Sequence, residues 1–503
     1  MTDNGRVSFV GAGCGDPRLL TLRSAELLSE ADLVLYDADV HPDVLAFAPE
    51  GAERELVEPS VSPAAVAARM AREAKAGKHV VRVAWGDSML FGRGDVEVSG
   101  ASRGGATLEV SPGIGPLVAI GAFAGVPLTL SSDASPSVAA LTVTKGHETL
   151  HDWDKLATAT DTLAMVVDAA SVGEVARSLV FYGRKPEEPV VLIGNVSLPS
   201  QIVHETTLEK VPLSPPPPVP RVVFVVGGKA RRRSDIAWLE SRPLFGKRVL
   251  VTRARGQAAS TAKLLRERGA DPVIVPTIEI QPPSDPAPLI DAVDRLHERY
   301  RWVLFTSANG VERMWAEVRR QGKDARAFGA AKIGAIGPST ARALEALGLV
   351  PDVVAKEHKG EGLAADLLAA MGEERGTVLL ARAEIARDAL PDALSAAGCE
   401  VHVVPAYKTR TPPRPLLSAV ENLLDSGGID VVTFTSSSTV QHLADALGAD
   451  AARLLSKVCV ASIGPITTAT AQSLGIRVDV VADAYTVPGL IDALEKHFEK
   501  KAI

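Results

Sequence analysis

The stretch "RVLVTRA" at Arg248–Ala254 returns as "TVLLARA" at Thr377–Ala383. "VLFTSANGV" at Val303–Val311 returns as "VTFTSSSTV" at Val432–Val440, and "IGPSTARALEALG" at Ile336–Gly348 returns as "IGPITTATAQSLG" at Ile463–Gly475. The separation between copies is nearly the same for all three blocks, so this is an internal repeat. Each block runs from an apolar, strand-like segment into Gly or Ser/Thr, and most lead on into a helix-forming stretch. The C-terminal half therefore holds two copies of one α/β unit, which can face each other across a cleft.

Each copy puts hydroxyls where strands end. Thr306 and Ser307 follow one such strand, and Thr435, Ser436 and Ser437 follow its repeat. Thr340 and Thr467 stand where a helix starts. Hydroxyls and free helix-start amides make cradles for carboxylates or phosphates. The same residues also serve as plain N-caps. Four equivalent positions in two copies suggest a polyanionic ligand held between them. Arg253, Arg382 and Arg387 are carboxylate partners for such a ligand, or ordinary strand-end arginines.

The wider composition sets bounds. A chain of 503 residues is too long for one core and predicts about three or four domains. With 46% hydrophobic, 23% charged and only 4% aromatic residues, it has the balance of an ordinary globular α/β protein. A net charge of −7 disfavours a nucleic-acid binder. The one basic cluster, Lys229 with Arg231, Arg232 and Arg233, reads as a solvated helix start. Cys14, Cys399 and Cys459 are too far apart for a disulfide framework or a metal-ligand set, so no metal is expected. The N-terminus lacks a signal pattern, and the apolar run Leu117–Leu130 is too short to cross a membrane. A cytoplasmic protein without membrane contact is the expectation.

The first half opens with a strand at Val7–Val10, the turn "GAGCGDP" (Gly11–Pro17), a helix at about Leu20–Glu30 and a strand at Leu33–Tyr36. Further strands are expected at Val80–Val83, Leu163–Val167, Pro189–Ile193 and Arg221–Gly228. Pro215–Pro218 excludes helix and reads as an extended surface loop before the last of these. The boundary between the halves is expected near Ser241–Gly246, ahead of a fresh strand at Arg248–Thr252. Strand, glycine loop and helix together suggest a dinucleotide site. The spacing G-x-G-x-G-D-P argues against it, because Asp16 would face the pyrophosphate and Pro17 takes the third-glycine position.

"VSFVGAGCGDPRLLTLRSAELLSEADLVLYD" resembles the opening of the tetrapyrrole methylases, in particular uroporphyrinogen-III C-methyltransferase. The resemblance continues through "WGDSMLFGRGD" (Trp85–Asp95), "SPGIGP" (Ser111–Pro116), "GVPLT" (Gly125–Thr129), "KGHE" (Lys145–Glu148) and "IGNVSLPSQ" (Ile193–Gln201). It implies S-adenosylmethionine as cofactor, held by Gly11, Gly13, Gly15, Asp16, Pro17, Gly86, Asp87 and Gly113, and a homodimer through this region. At the site the chain departs from the family. Cys14 replaces the loop proline, Ala84 a lysine, Trp85 a glycine and Ser88 a proline. Basic residues are absent at Leu130 and Ser131, and "AMVVD" (Ala164–Asp168) replaces a tyrosine–methionine pair. A Trp in place of that glycine would fill the space left for the cofactor.

The second half resembles uroporphyrinogen-III synthase through "FTSANGV", "IGPSTARAL", "RAEIARDALPDALSAAG", "AYKT", "FTSSS" and "IGPITTA". That resemblance implies hydroxymethylbilane as substrate and uroporphyrinogen III as product, with ring D inverted and water lost. It gives Tyr407 of "AYKT" the role of proton donor. The alternative to that role is a half-buried tyrosine packing the lobe junction, and the family match puts the catalytic reading ahead of it. The implied layout is a methylase-like domain over 1–242 and a synthase domain over 243–503. Within the latter, lobe one is 243–280 plus 410–503 and lobe two is 281–409, joined by two strands.

The expected fold class is therefore α/β: a two-lobed tetrapyrrole methylase fold followed by the two similar lobes of a uroporphyrinogen-III synthase fold. The first expectation for function is a synthase fused to a C-methyltransferase that makes precorrin-2. A second keeps the synthase beside a degenerate methylase that serves as scaffold or tetrapyrrole-binding module. A third is a two-lobed polyanion-binding protein without catalysis.

Overall fold

Apolar β-branched runs that end in glycine, Asp or Ser become strands, and the Ala/Leu-rich runs between them become helices. The computed structural model describes residues 5–90, 92–129, 138–143, 151–228, 233, 236–253, 255–275, 279–357, 360–373, 375–410 and 414–499. Leu130, Ser131, the Lys145–Glu148 segment, Lys229, Arg231 and Arg232 lie outside these residues. By mutual contact the chain divides into two compact units, Met1–Arg248 with Leu265–Asp271 and Phe498–Ile503, and Val249–Leu264 with Pro272–His497.

Among the described residues the first half has ten strands: β1 (Arg6–Gly11), β2 (Leu33–Tyr36), β3 (Glu53–Leu56), β4 (Val80–Ala84), β5 (Thr107–Ser111), β6 (Val138–Val143), β7 (Thr162–Asp168), β8 (Pro189–Gly194), β9 (Ile202–Thr207) and β10 (Arg221–Val226). Every expected strand here appears, with ends shifted by at most two residues. Strands in the order β3-β2-β4-β1-β5 form a parallel sheet. Both faces are covered, as a parallel sheet requires. Val10, Val34, Val81 and Val83 pack with Leu27 and Leu28 on one face. Val7, Phe9, Leu33 and Val80 pack with Val66 and Met70 on the other. The second sheet, β6-β7-β10-β8-β9, is mixed: β6 and β7 run parallel and the remaining pairs antiparallel. The helix Pro116–Phe123 lays Leu117 and Ile120 on Val166, Ile193 and Val223 of this sheet. Pro215–Pro218 carries neither helix nor strand.

Among the described residues the second half has eleven strands: β11 (Arg248–Val251), β12 (Asp271–Ile274), β13 (Glu279–Gln281), β14 (Trp302–Phe305), β15 (Lys332–Ala335), β16 (Val353–Val354), β17 (Thr377–Ala383), β18 (Glu400–Arg410), β19 (Val431–Phe434), β20 (Cys459–Ser462) and β21 (Val480–Val481). They form two sheets, β12-β11-β19-β20-β21 and β13-β18-β17-β14-β15-β16. Equivalent residues of the repeat make equivalent pairs. Val249 faces Val431 in one sheet, and Val378 faces Trp302 in the other.

The sequence copies and the sheets do not coincide. The first sheet takes β11 from the first copy and β19 and β20 from the second. The other takes β17 from the second copy and β14 and β15 from the first. Each sheet thus combines the start of one copy with the end of the other. The outward passage β13 pairs antiparallel with the end of the return passage β18, Glu279 facing Arg410.

Candidate functional site

In sheets of parallel strands, ligands bind beyond the strands' carboxyl ends. The second half places its hydroxyls and arginines there. Arg253 follows β11, and Thr435, Ser436 and Ser437 follow β19. Thr306 and Ser307 follow β14, Arg382 closes β17 and Arg387 lies just beyond it. Each sheet gathers its own set at one edge.

The side chains divide by what they already hold. Ser307 caps the helix Ala308–Arg320, its Oγ accepting the Gly310 N–H at 3.1 Å. Ser436 caps the helix Ser437–Leu447 in a capping box with Thr439. Ser437 accepts a hydrogen bond from the Thr470 hydroxyl at 2.8 Å. Thr340 and Thr467 are only 1% and 5% exposed, so they are packing residues within the first turns of Pro338–Glu345 and Pro465–Ser473. No side chain caps either of these helices, which begin with Gly337–Pro338 and Gly464–Pro465.

The arginines differ too. Arg382 is buried and donates to the Arg387 carbonyl at 2.7 Å and to Asp388 Oδ1 at 2.5 Å. It clamps its own loop, while the Arg387 side chain is exposed. Burial holds the Arg253 guanidinium below its usual pKa.

Tyr407 is only 6% exposed. The pairing of β17 with β18 slips beside it: Arg382 faces Pro405, yet Ala383 faces Tyr407. Ala406 is left unopposed, the in–out alternation breaks, and Ala406 and Tyr407 are both buried. The Tyr407 hydroxyl lies 2.9 Å from Ser307 Oγ. The slip had no signal in the sequence.

In the first half the glycine loops pack on one another. Gly13 and Gly86, at φ +77° and +70°, exchange backbone hydrogen bonds at 3.1 and 2.9 Å. A Cβ on Gly113 would lie 2.0 Å from the Gly86 carbonyl and 2.7 Å from Gly11 Cα. One on Gly15 would lie 2.7 Å from the Val196 carbonyl. Asp87 accepts the Gly113 and Met89 N–H groups, both at 2.8 Å. Asp16 accepts from Arg18 N at 2.9 Å, and Pro17 starts the short turn that follows. Gly15, Gly86 and Asp87 line cavities, whereas Gly11, Gly13, Asp16, Pro17 and Gly113 shape the loops behind them.

Two cavities of about 290 and 300 Å³ lie side by side. They share a wall of Ala38, Asp39, Trp85, Pro116, Val166 and Arg221. The Arg221 guanidinium stacks 4.3 Å from the Trp85 ring centroid and pairs with Asp39. Burial lowers its pKa. The Trp85 backbone N–H donates to Asp37, whose other oxygen accepts from Arg82 at 2.6 Å. Arg82 is buried and also donates to Glu97 at 2.8 Å. Ser88 lines the second cavity with its hydroxyl buried and unpartnered. Burial pushes the Cys14 thiol up to about 11, so it stays protonated at neutral pH. Sequence reasoning missed Arg221, Asp39 and the Arg82 network; nothing local marks Arg221, which reaches Trp85 only through the fold. Among the described residues no cluster of His, Cys, Asp and Glu could hold a metal, and no helix is long and apolar enough to cross a membrane.

Residues 6–212 match the family model for tetrapyrrole (corrin/porphyrin) methylases, and residues 259–492 match that for uroporphyrinogen-III synthase HemD. A protein of Ruminiclostridium josui described as porphyrin biosynthesis protein HemD is 30% identical over 503 residues, covering 98% of each chain. The chain belongs to this family of methylase–synthase fusions. The synthase region is also similar to a uroporphyrinogen-III synthase of Synechococcus elongatus, at 36% identity over 51% of this chain and 98% of that one. The methylase region is similar to a crystal structure of a Thermus thermophilus uroporphyrin-III C-methyl transferase complexed with S-adenyl homocysteine, at 34% identity. That alignment covers 45% of this chain and 99% of that one, with a TM-score of 0.40.

Proposed function

We propose that the synthase region converts hydroxymethylbilane to uroporphyrinogen III. The observation that carries this is Tyr407, turned by the slipped register of β18 so that its hydroxyl meets the Ser307 loop at the end of β14. The edges of the two sheets each offer hydroxyls, helix N-termini and arginines suited to a substrate with eight carboxylates. At short range these donors outweigh the net charge of −7, because interactions over more than a Debye length of about 8 Å are screened. Tyr407 serves as proton donor to the departing hydroxyl. The test is to incubate the full chain with hydroxymethylbilane and separate the isomers formed. The type III isomer is expected; the spontaneous type I isomer alone would refute the assignment.

A second reading concerns the methylase region. S-adenosylmethionine supplies a methyl group when bound, but Trp85 with its Arg221 stack stands in the wall between two cavities. Each is at the floor of the ~300–1,000 Å³ typical of ligand pockets. On this reading the ring restricts the space open to that cofactor, and no methyl-transfer step is drawn through it. The region then serves as scaffold or tetrapyrrole-binding module.

A further inference from the structure

The first turn of Ala308–Arg320 differs from its repeat in one telling respect. In the copy, Ser436 Oγ accepts from Thr439 N–H and the Thr439 side chain accepts the Ser436 N–H in return, so that cap is closed on itself. Gly310 stands in place of Thr439 and has nothing to return. Glycine is what the close approach allows, because a Cβ there would lie 3.1 Å from the Ala381 carbonyl of β17. The Ser307 hydroxyl is left with a partner outside its cap, the Tyr407 hydroxyl at 2.9 Å. Capping explains a serine at this position. It does not explain the tyrosine, since Ser436 caps without one. The slip between β17 and β18 is a second, independent sign that Tyr407 is aimed at this contact.

We infer that Ser307 is a positioning residue for Tyr407, an assignment that rests on Tyr407 being the proton donor proposed above. One lone pair of Ser307 Oγ is committed to the Gly310 N–H. Its own proton is donated to the Tyr407 oxygen, which leaves the phenol O–H free to face the substrate. In the reaction the phenol proton passes to the hydroxymethyl oxygen, and the C–O bond breaks with its electron pair going to that oxygen. Water leaves, and the phenolate that remains is held by the Ser307 O–H. The phenolate regains a proton from the free α-carbon of the terminal pyrrole as that ring recovers its aromaticity after closure. The net change is loss of one water.

The test compares the full-length protein with Ser307→Gly, Tyr407→Phe and the double variant in steady-state turnover of hydroxymethylbilane to the type III isomer. Glycine is a tolerated N-cap residue, so Ser307→Gly removes the hydroxyl and largely spares the helix. Loss of one hydrogen bond made to the reacting group predicts a kcat about tenfold lower with KM within about twofold. The double variant should be no slower than Tyr407→Phe alone. Should Ser307→Gly melt early, Ser307→Asp caps as well as serine, has no proton to give, and must show the same loss in kcat. A normal kcat in a folded variant, a loss confined to KM, or losses that multiply in the double variant would each overturn the inference. If Tyr407→Phe is itself near normal, the proton-donor reading falls first. If Tyr407→Phe is slow and Ser307→Gly is not, only the role of Ser307 falls.

Discussion

Trp85 shows how much one residue decides in the methylase region. Its ring and the Arg221 guanidinium, 4.3 Å from the ring centroid, form part of the wall between two small cavities. Placing a large ring where a close-packed site has no room typically costs about 1–3 kcal/mol. That is a loss of about ten- to a hundredfold in affinity. Wild-type protein is therefore expected to bind S-adenosylmethionine and S-adenosylhomocysteine weakly or undetectably by titration calorimetry. Trp85→Gly should bind S-adenosylhomocysteine at least about tenfold more tightly. Micromolar binding by the wild type, together with formation of precorrin-2, would show that the pocket accommodates the ring. In the synthase region Tyr407→Phe keeps the buried ring and removes only the proposed donor. Its turnover should fall by about a hundredfold or more, the lower end for general-acid catalysis. Near-normal turnover would leave Tyr407 as a packing residue.

At the level of elements, the loops that close β1, β4 and β5 are held by backbone meeting backbone. Gly113→Ala drives a Cβ to 2.0 Å from the Gly86 carbonyl, which no side-chain rotation relieves. A destabilisation above about 3 kcal/mol is expected, beyond ordinary overpacking. Gly115→Ala, two residues on, meets nothing within 4 Å at φ −69° and should cost only about 1 kcal/mol or less, the loss of a favoured N-cap residue. Denaturant melts of the two variants check the contrast, and equal effects would contradict the packing described. His79 ties β1 to the helix Leu22–Ser29 region in another way. Its ring nitrogens meet Ser8 Oγ at 2.8 Å and the Glu30 carbonyl at 3.0 Å. Burial holds its pKa below the ordinary value of about 6.5. The unfolded chain therefore takes up this proton first as pH falls. The stability it contributes is complete above about pH 6.5 and is lost between there and the lower folded value. Melting temperature should drop from pH 7.5 to 5.5, and His79→Gln should flatten part of that slope. An unchanged slope would remove His79 as its source.

Over the whole molecule the synthase region is expected to work alone. A relative of about half this chain's length matches over 98% of itself, so a protein of that size exists independently. The segment from Pro243 to Ile503 should fold and form the type III isomer; an insoluble or inactive segment would show that it depends on the methylase region. What could be read from the sequence follows from local physics. Strand and helix positions came from apolar periodicity, which is set residue by residue. The repeat showed itself because both copies face the same packing demands, as the matched pairs Val249–Val431 and Val378–Trp302 confirm. The hydroxyl-bearing strand ends were visible for the same reason. What the sequence left undecided depends on contacts between distant segments. That each sheet takes its strands from both copies was implied only by the family resemblance, through lobes of 243–280 plus 410–503 and 281–409, because a β-strand specifies its faces and not its neighbour. The slip beside Ala406 depends on how β17 and β18 pair, and the meeting of Ser307 with Tyr407 and the stacking of Arg221 on Trp85 each join residues a hundred or more positions apart. Such pairs form only when the sheets are assembled, so the tertiary structure alone decided where the tyrosine hydroxyl points and what stands between the two methylase-region cavities.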